Sequence, residues 1–276
     1  VIGVAGDATL EPSNPISIEK SVTITGINGN PEIDAKFVSK GLSVQTGGVT
    51  IRNITVDSAG DRLSDEEEVQ GIFIGDSDGF TDNGEINIQN VDVTDVSGDS
   101  TNKTTEGIHV KHYNGGDSIS NVNIENVTID GVDAPTGDFE GGGRGANGIK
   151  LQADMDNINI SDTTIRNITG GWSYGTAITA SSNEGGIPKE VSFDTVVIDN
   201  ITGTDYESAG IGFGSSSGNP TNQKVADPSE VTYNNTTIQD ADIGIINKNT
   251  SKNLDEPDGI EFISIDDNIS NPSMQE

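Results

Sequence analysis

One eight-residue pattern recurs along most of the chain and constrains its fold more than any other feature. The pattern is apolar-x-apolar-x-Asx-apolar-x-apolar, as in Val49–Val56 and Val122–Ile129, with single substitutions in the later copies. The copies begin at residues 49, 86, 122, 158, 191 and 231, which are 37, 36, 36, 33 and 40 residues apart. A period in this range is typical of solenoids, in which each repeat buries its apolar face against the next repeat.

Each copy predicts two short strands of alternating polarity, separated by a corner at the Asx residue. A third strand, which starts with glycine, precedes most copies. These strands begin at Gly71, Gly107, Gly148, Gly175, Gly210 and Gly244. Leucine is scarce and no helical period intervenes, which excludes a leucine-rich repeat. The sequence therefore predicts an all-β parallel β-helix of about eight coils with three short strands per coil.

The Asx residues form two columns when the copies are stacked. Asparagine and aspartate tolerate the left-handed backbone of a corner, and stacked amides can bond to each other as a ladder. We therefore interpret both columns as structural. The first comprises Asn53, Asn90, Asn126, Asp162 and Asn235, and the second comprises Asp95, Asn167, Asn200 and Asp240.

The composition excludes several classes of function. The chain has 45 acidic and 14 basic residues, a formal charge of −31, and no cysteine. This charge repels nucleic acids and anionic membrane surfaces, and the absence of cysteine rules out thiol catalysis and disulfides. No apolar run is long enough to predict membrane insertion. Acidity spread over the whole length indicates a protein that is adapted to a high-salt environment, where screening reduces self-repulsion.

The domain organisation follows from the continuity of the repeat. No linker interrupts the pattern, so residues 1–276 are expected to form a single β-helix domain. Within it, residues 1–30 are expected to form an N-terminal edge strand and the first coil. Residues 247–276 are expected to form an irregular last coil and a tail.

The opening stretch Leu10–Gly26, followed by Pro31–Asp34, is similar to the first coils of secreted carbohydrate-binding and sugar-hydrolase β-helix domains. The chain as a whole resembles the right-handed parallel β-helix superfamily that includes pectate lyases and polygalacturonases. The resemblance implies a right-handed coil, a polysaccharide partner and a secreted protein that is extracellular or at a cell surface. The catalytic motifs of those enzymes are absent: the adjacent pair Asp266-Asp267 stands alone, and the chain contains four arginines.

Stacking the glycine-led strands brings a set of polar residues onto one predicted exposed strip. His109 and Lys150 fall in one outward column, and Lys111 and Gln152 fall in the next. The small residues beside them predict a shallow trough, walled by loops that carry Arg144, Trp172 and Tyr174. We interpret these residues, with His112, as a candidate ligand-binding groove for a sugar. His109, Lys111 and Lys150 are the candidate catalytic residues, with His109 as a proton acceptor; in the competing interpretation they are solvated strand residues paired with acids.

A partial calcium-loop pattern lies just after the Gly71 strand. Asp76, Asp78 and Asp82 surround Gly79 as Asp-x-Asp-Gly-x-x-Asp, although Phe80 occupies a position where an EF-hand has a ligand. Calcium is therefore a possible ligand, and no cofactor is required by the sequence.

Three functions are compatible with these features. The first is a surface protein that binds or displays at a cell or virion surface, with a polysaccharide or cell-surface glycan as its ligand. The second is a polysaccharide lyase, hydrolase or epimerase that acts on acidic polysaccharide with an unusual centre at His109, Lys111 and Lys150. The third is a structural filament or envelope subunit, a homo-oligomer or larger assembly joined through the coil ends.

Overall fold

The computed structural model describes residues 1–10, 15–60, 68–75, 80–81, 84–98, 103–112, 118–135, 145–180, 186–204, 208–215, 228–247, 252–253 and 257–265. These residues form 23 strands in two sheets and one short 3-10 helix, Pro228–Glu230. All strand pairs in the described part of the chain are parallel except one antiparallel pair near the C-terminal end. The all-β right-handed parallel β-helix predicted from the sequence is confirmed.

The larger sheet has fourteen strands in the described residues. Its strands are β1 (Ile2–Val4), β2 (Ala8–Thr9), β4 (Thr23–Gly26), β5 (Glu32–Asp34), β7 (Val49–Asp57), β9 (Ile86–Ser97), β11 (Ile119–Asp133), β13 (Met155–Ser161), β14 (Thr164–Gly170), β16 (Pro188–Asp194), β17 (Val197–Gly203), β19 (Val231–Asn234), β20 (Thr236–Ala241) and β23 (Ile260–Ile263). In β7, β9 and β11 the first two predicted strands run through the Asx corner as one strand. In later coils the corner separates them, as between β13 and β14.

The smaller sheet has nine strands in the described residues and contains the glycine-led strands. Its strands are β3 (Ile16–Ile18), β6 (Lys40–Val44), β8 (Val69–Ile74), β10 (Thr105–Lys111), β12 (Gly145–Gln152), β15 (Trp172–Ala180), β18 (Ser208–Ser215), β21 (Ile243–Asn247) and β22 (Lys252–Asn253). The strand β22 pairs antiparallel with β21 and stands at one end of the sheet.

The register of the larger sheet follows the sequence repeat residue by residue. The first positions of the six copies pair in order, from Val49 with Ile86 to Val191 with Val231. The alternate apolar residues of each copy therefore stack into buried columns between the two sheets, and Ile51, Ile88 and Ile124 are fully buried in one of them. Each such side chain contributes roughly 1.5–3 kcal/mol by leaving water.

The Asx columns adopt the predicted left-handed backbone. In the first column φ is 55° at Asn53, 52° at Asn90 and 50° at Asn126. The predicted ladder is also present, because Asn126 Nδ2 donates to Asn90 Oδ1 at 2.6 Å and Asn90 Nδ2 donates to Asn53 Oδ1 at 3.1 Å. In the second column Asn200 Nδ2 donates to Oδ1 of Asn167 at 2.7 Å. The structural interpretation of both columns is confirmed.

Glycine is required at the leading position of the glycine-led strands because the two sheets approach each other closely there. A Cβ atom on Gly148 would lie 2.2 Å from Cγ2 of Ile165, which belongs to the opposite sheet, and 2.7 Å from the carbonyl oxygen of Gly175. Gly107 meets Ile129 and Gly175 meets Ile198 in the same way. A column of isoleucine side chains therefore fills the space that side chains on these glycines would need.

Candidate functional site

The side of the nine-stranded sheet that faces away from the core, here called the outer face, carries its side chains in three rows. The first row precedes the glycines and runs Lys40, Gln70, Glu106, Asn147, Tyr174, Ala209, Ile243. The second row runs Ser43, Phe73, His109, Lys150, Ala177, Gly212, Ile246. The third row includes Lys111, Gln152, Thr179 and Gly214. The last two rows are the columns predicted from the sequence.

The alternation pattern in the sequence did not predict that the first row lies on the outer face. Strict alternation counted from His109 places Glu106 inside the coil, but its carboxylate contacts Lys150 and therefore lies on the outer face. Ile108 is nevertheless fully buried in the core. The alternation slips at Gly107, where the absence of a Cβ lets two successive residues face the interior. A glycine recurs at this position in successive coils, and an apolar residue of the other sheet, most often isoleucine, lies opposite it. This recurring pair is the sequence signal that could have predicted the change in alternation.

Glu106 is the centre of a buried polar cluster. Its Oε1 accepts a hydrogen bond from Lys150 Nζ at 2.9 Å, and its Oε2 accepts one from Gln70 Nε2 at 3.2 Å. Lys150 Nζ also donates to Oγ1 of Thr104 at 2.9 Å. Glu106 and Gln70 are completely buried. A buried ion pair of this kind requires its additional hydrogen bonds, because both charges have lost their hydration.

His109 lies beside this ion pair and is itself fully buried. Its Nε2 is 3.1 Å from Gln152 Oε1, and its Nδ1 is 3.8 Å from Glu106 Oε2, too far for a hydrogen bond. The edge of the Phe73 ring packs against the imidazole, with the ring centroids 5.7 Å apart. Burial first, and the charge of Lys150 second, hold the pKa of His109 well below its usual range. The imidazole is therefore neutral near pH 7, and a proton on Nε2 fits Gln152 Oε1 as the acceptor.

The expectation of an exposed strip was wrong for the second row. His109 is 0% exposed and Lys150 only 9% exposed, because Phe73, Gln152 and Glu106 pack around them. The predicted trough is also partly filled: a Cβ on Gly212 would lie 2.7 Å from Cδ1 of Tyr174, so the tyrosine ring occupies the space above this glycine.

The third row is more accessible than the first two. Lys111 and Gln152 are half-buried, and Lys111 Nζ lies 3.6 Å from Glu68 Oε2. His112 is also half-buried, and its backbone N–H donates to the carbonyl oxygen of Gln152 at 3.1 Å. The pairing with acids that the competing interpretation expected is present for Lys111 with Glu68 and for Lys150 with Glu106, but Lys150 is buried and not solvated.

The aromatic residues predicted for the groove come from a single strand, β15. The Trp172 and Tyr174 rings are 5.3 Å apart and tilted by 42°. Trp172 is half-buried and covers Gly145, whose Cβ position lies 2.1 Å from the indole. Tyr174 is buried in a small apolar cluster with Ala177, Ala209, Ile243 and Ile246. The outer face therefore changes from polar to apolar between β12 and β15.

Some predicted site residues lie outside the described part of the chain. They are Arg144 and the three aspartates of the calcium pattern, Asp76, Asp78 and Asp82. Within the described residues, no group of three or more acidic or histidine side chains is arranged to hold a metal ion. No helix in the described ranges has the length and hydrophobicity to span a bilayer.

A separate cavity of about 420 Å³ lies far along the coil, near its C-terminal end. Val231, Tyr233 and Ile245 line it together with the turn at Pro257. Burial raises the pKa of Tyr233, which stacks on Phe193 at 5.6 Å. Among the described residues that line this cavity, there is no histidine and no residue of the predicted groove.

Comparisons with known proteins do not assign a function to the chain. The sequence matches no protein-family profile and no curated protein. Among solved structures it is similar to the pectin methylesterase from Yersinia enterocolitica, with 14% sequence identity and a TM-score of 0.42. The similarity covers 98% of this chain and 87% of that chain. It assigns no activity or ligand to the present protein.

Proposed function

We propose that the chain is a salt-adapted β-helix surface protein that binds a glycan at the outer face of the nine-stranded sheet. One observation carries the proposal: three adjacent strands, β10, β12 and β15, bring polar and aromatic groups of the kind that bind sugars onto one face. Amide groups supply hydrogen bonds to hydroxyls, and aromatic rings pack against the apolar faces of sugar rings. The half-buried Gln152, Lys111 and Trp172 form its accessible part.

Binding is favoured over catalysis because the reactive groups of the cluster are already engaged. The Lys150 ammonium is held by Glu106 and Thr104, and His109 Nε2 is turned to Gln152. A general base must reach the proton that it removes, and the buried His109 ring does not face solvent.

The second candidate function is a polysaccharide lyase, hydrolase or epimerase, and one observation favours it. The lowered pKa leaves His109 as a neutral base beside an ammonium group, an arrangement that is common in active sites. In this alternative the cluster opens to admit an acidic polysaccharide, and Lys150 stabilises the negative charge that develops on the substrate.

The proposed setting is extracellular and rich in salt. The net charge of −31 would destabilise the fold by self-repulsion at low ionic strength, and screening removes most of this cost in multimolar salt. Display at a cell or virion surface fits an elongated scaffold whose specificity lies on one face.

Retention and product analysis together test the proposal. Neutral and acidic polysaccharides are passed over immobilised protein in multimolar salt, with and without calcium, and the eluate is examined for shortened or unsaturated products. We expect retention without products, and about fivefold weaker retention for Trp172→Ala, because one aromatic contact is worth roughly 1 kcal/mol. The matched control is Lys189→Ala, which alters an exposed cation on the other sheet.

The alternatives give different results in the same experiment. Products released by the native chain and lost in His109→Ala would establish the enzyme and overturn the binding proposal. Neither products nor retention of any polysaccharide would also overturn it.

A further inference from the structure

The side chain of Asn147 is buried on the outer face and has no hydrogen-bond partner among the described residues. Asn147 is 0% exposed, and neither its Nδ2 nor its Oδ1 bonds to any described residue. It lies in the first row, between Glu106 on one neighbouring strand and Tyr174 on the other. Buried amides are almost always satisfied, so a donor and an acceptor left together indicate a position that a ligand group fills.

The neighbouring polar groups make no hydrogen bond to Asn147, although Gln70 Oε1 and His109 Nδ1 in the same cluster are also buried without a partner among the described residues. Glu106 accepts from Lys150 and Thr104 at one carboxylate oxygen and from Gln70 at the other. Asn147 pairs with Glu106 in the strand ladder, but its amide makes no hydrogen bond to this network. Among the described residues, it is the one side-chain amide that is buried with both its nitrogen and its oxygen unbonded.

The amide has a specific chemical complement. A primary amide presents an acceptor and a donor side by side in one plane, and two vicinal hydroxyls match it because one donates while the other accepts. Tyr174 is the neighbour of Asn147 in the first row, and the ring of Trp172 lies 5.3 Å from that of Tyr174, so both rings add apolar surface near Asn147. A pyranose ring offers such vicinal hydroxyls next to apolar C–H groups.

The charge balance around Asn147 decides between neutral and acidic sugars. Glu106 and Lys150 neutralise each other at 2.9 Å, and Lys111 faces Glu68 at 3.6 Å. Lys40 lies three strands away from Asn147 in the first row, over the ring of Phe73. Lys150 and Lys111 are thus held by internal carboxylates, so a uronate would have to compete with Glu106 and Glu68 for them.

We infer that Asn147 binds a vicinal diol of a neutral pyranose, and that this face selects neutral glycans over uronates. This inference rests on the proposed glycan-binding function and narrows its ligand class. The half-buried indole of Trp172 covers Gly145, which lies two residues before Asn147 in the same strand. A sugar that reaches Asn147 must therefore pass or displace this indole. Binding therefore changes the environment of that indole.

The single tryptophan of the chain makes the inference directly measurable. Trp172 fluorescence is titrated in multimolar salt with methyl glucoside, galactoside and mannoside, and with the matching glucuronate, galacturonate and mannuronate. Each pair differs in the carboxylate. We expect a saturable change with at least one neutral glycoside and binding of its uronate weaker by about tenfold or more.

Two variants test the role of Asn147 itself. Asn147→Leu removes the donor and the acceptor and is expected to abolish the fluorescence response, while Asn147→Asp keeps an acceptor, loses the donor and is expected to weaken binding by about tenfold. Thermal unfolding shows that each variant is folded, and Leu is expected to fold well because it removes an unsatisfied amide. The control is Asn87→Leu in β9 of the other sheet, which is expected to keep the response.

The outcomes separate this inference from the proposed function. Unchanged binding by Asn147→Leu, or uronates that bind as tightly as neutral sugars, would overturn the inference and leave glycan binding in place. Retention of polysaccharide without any response to the six monosaccharides would also overturn it. Failure of the native chain to retain any polysaccharide would overturn both.

Discussion

The Lys150 ammonium nitrogen lies 2.9 Å from Oε1 of Glu106, and the carboxylate is completely buried. Neither member of this buried ion pair can be replaced alone without a large loss of stability. Removing one partner leaves the other charge buried and uncompensated, whereas replacing both by uncharged groups does not.

Lys150→Met is therefore expected to lower the free energy of unfolding by about 3–5 kcal/mol. The double variant Lys150→Met with Glu106→Gln is expected to recover most of that loss, because the uncompensated carboxylate is gone. Chemical denaturation in multimolar salt measures both variants, and Lys189→Ala serves as the exposed-cation control. A Lys150→Met protein as stable as the native chain would contradict the buried pair.

Gly148→Ala tests the close approach of the two sheets. The added Cβ would meet Ile165 Cγ2 at 2.2 Å and the Gly175 carbonyl oxygen at 2.7 Å, so backbone must move. We expect a loss of about 1–3 kcal/mol of unfolding free energy, the usual cost of overpacking. Gly6→Ala is the control, because a Cβ there has no atom within 4 Å. Equal melting temperatures for the two variants would show that the sheets do not approach as described.

Thr195→Asn is expected to stabilise the protein. Thr195 occupies an Asx corner with φ of 57°, between Asp162 and Asn235 in the neighbouring coils. A β-branched residue is strained in this region and asparagine tolerates it, so the gain should be about 1 kcal/mol. Thr202→Asn, on an exposed strand position, should give no gain in the same thermal unfolding experiment. Destabilisation by Thr195→Asn would argue against the corner interpretation.

The buried His109 makes stability depend on pH in a predictable direction. Its pKa in the folded chain lies well below the value of 6.5 that applies when it is exposed. As pH falls below about 6.5, the unfolded chain takes up a proton that the folded chain does not, so stability decreases by at most about 1.4 kcal/mol per pH unit.

Denaturation at pH 7.5 and at pH 5.5 measures this dependence. The native chain should lose about 1 kcal/mol between the two conditions, and His109→Gln should lose less, because the imidazole at position 109 is gone. The pKa of Asp133 is raised by burial and then by Asp95, so this group changes stability with pH in the direction opposite to His109. Its contribution is the same in both proteins and cancels when their pH dependences are compared. An identical pH dependence of the two proteins would contradict a neutral, buried His109.

Strand positions and register could be predicted because each depends on a local pattern. The alternation around Val49 and its equivalents fixes the inward face, and the Asx residue fixes the corner, so stacking copies of the pattern reproduces the observed ladder. The neighbours of His109 within its row, Phe73 and Lys150, follow from the same stacking.

The burial of the site could not be predicted in this way. It depends on Glu106, which reaches the outer face because alternation slips at Gly107, and on the Tyr174 ring, which fills the space above Gly212. Both effects are set by contacts between different strands and sheets. A count of alternate residues along one strand does not contain that information.

The repeat lengths of 33 to 40 residues have a further consequence. The chain uses seven residues, 112–118, to pass from β10 to β11, but only two, 153–154, to pass from β12 to β13. Ile119 and Met155 nevertheless stand in register. Insertions at this corner are therefore absorbed locally and do not propagate along the stack. During evolution such a scaffold can acquire or discard surface segments there, and so change its partner, while the rest of the molecule is inherited unaltered.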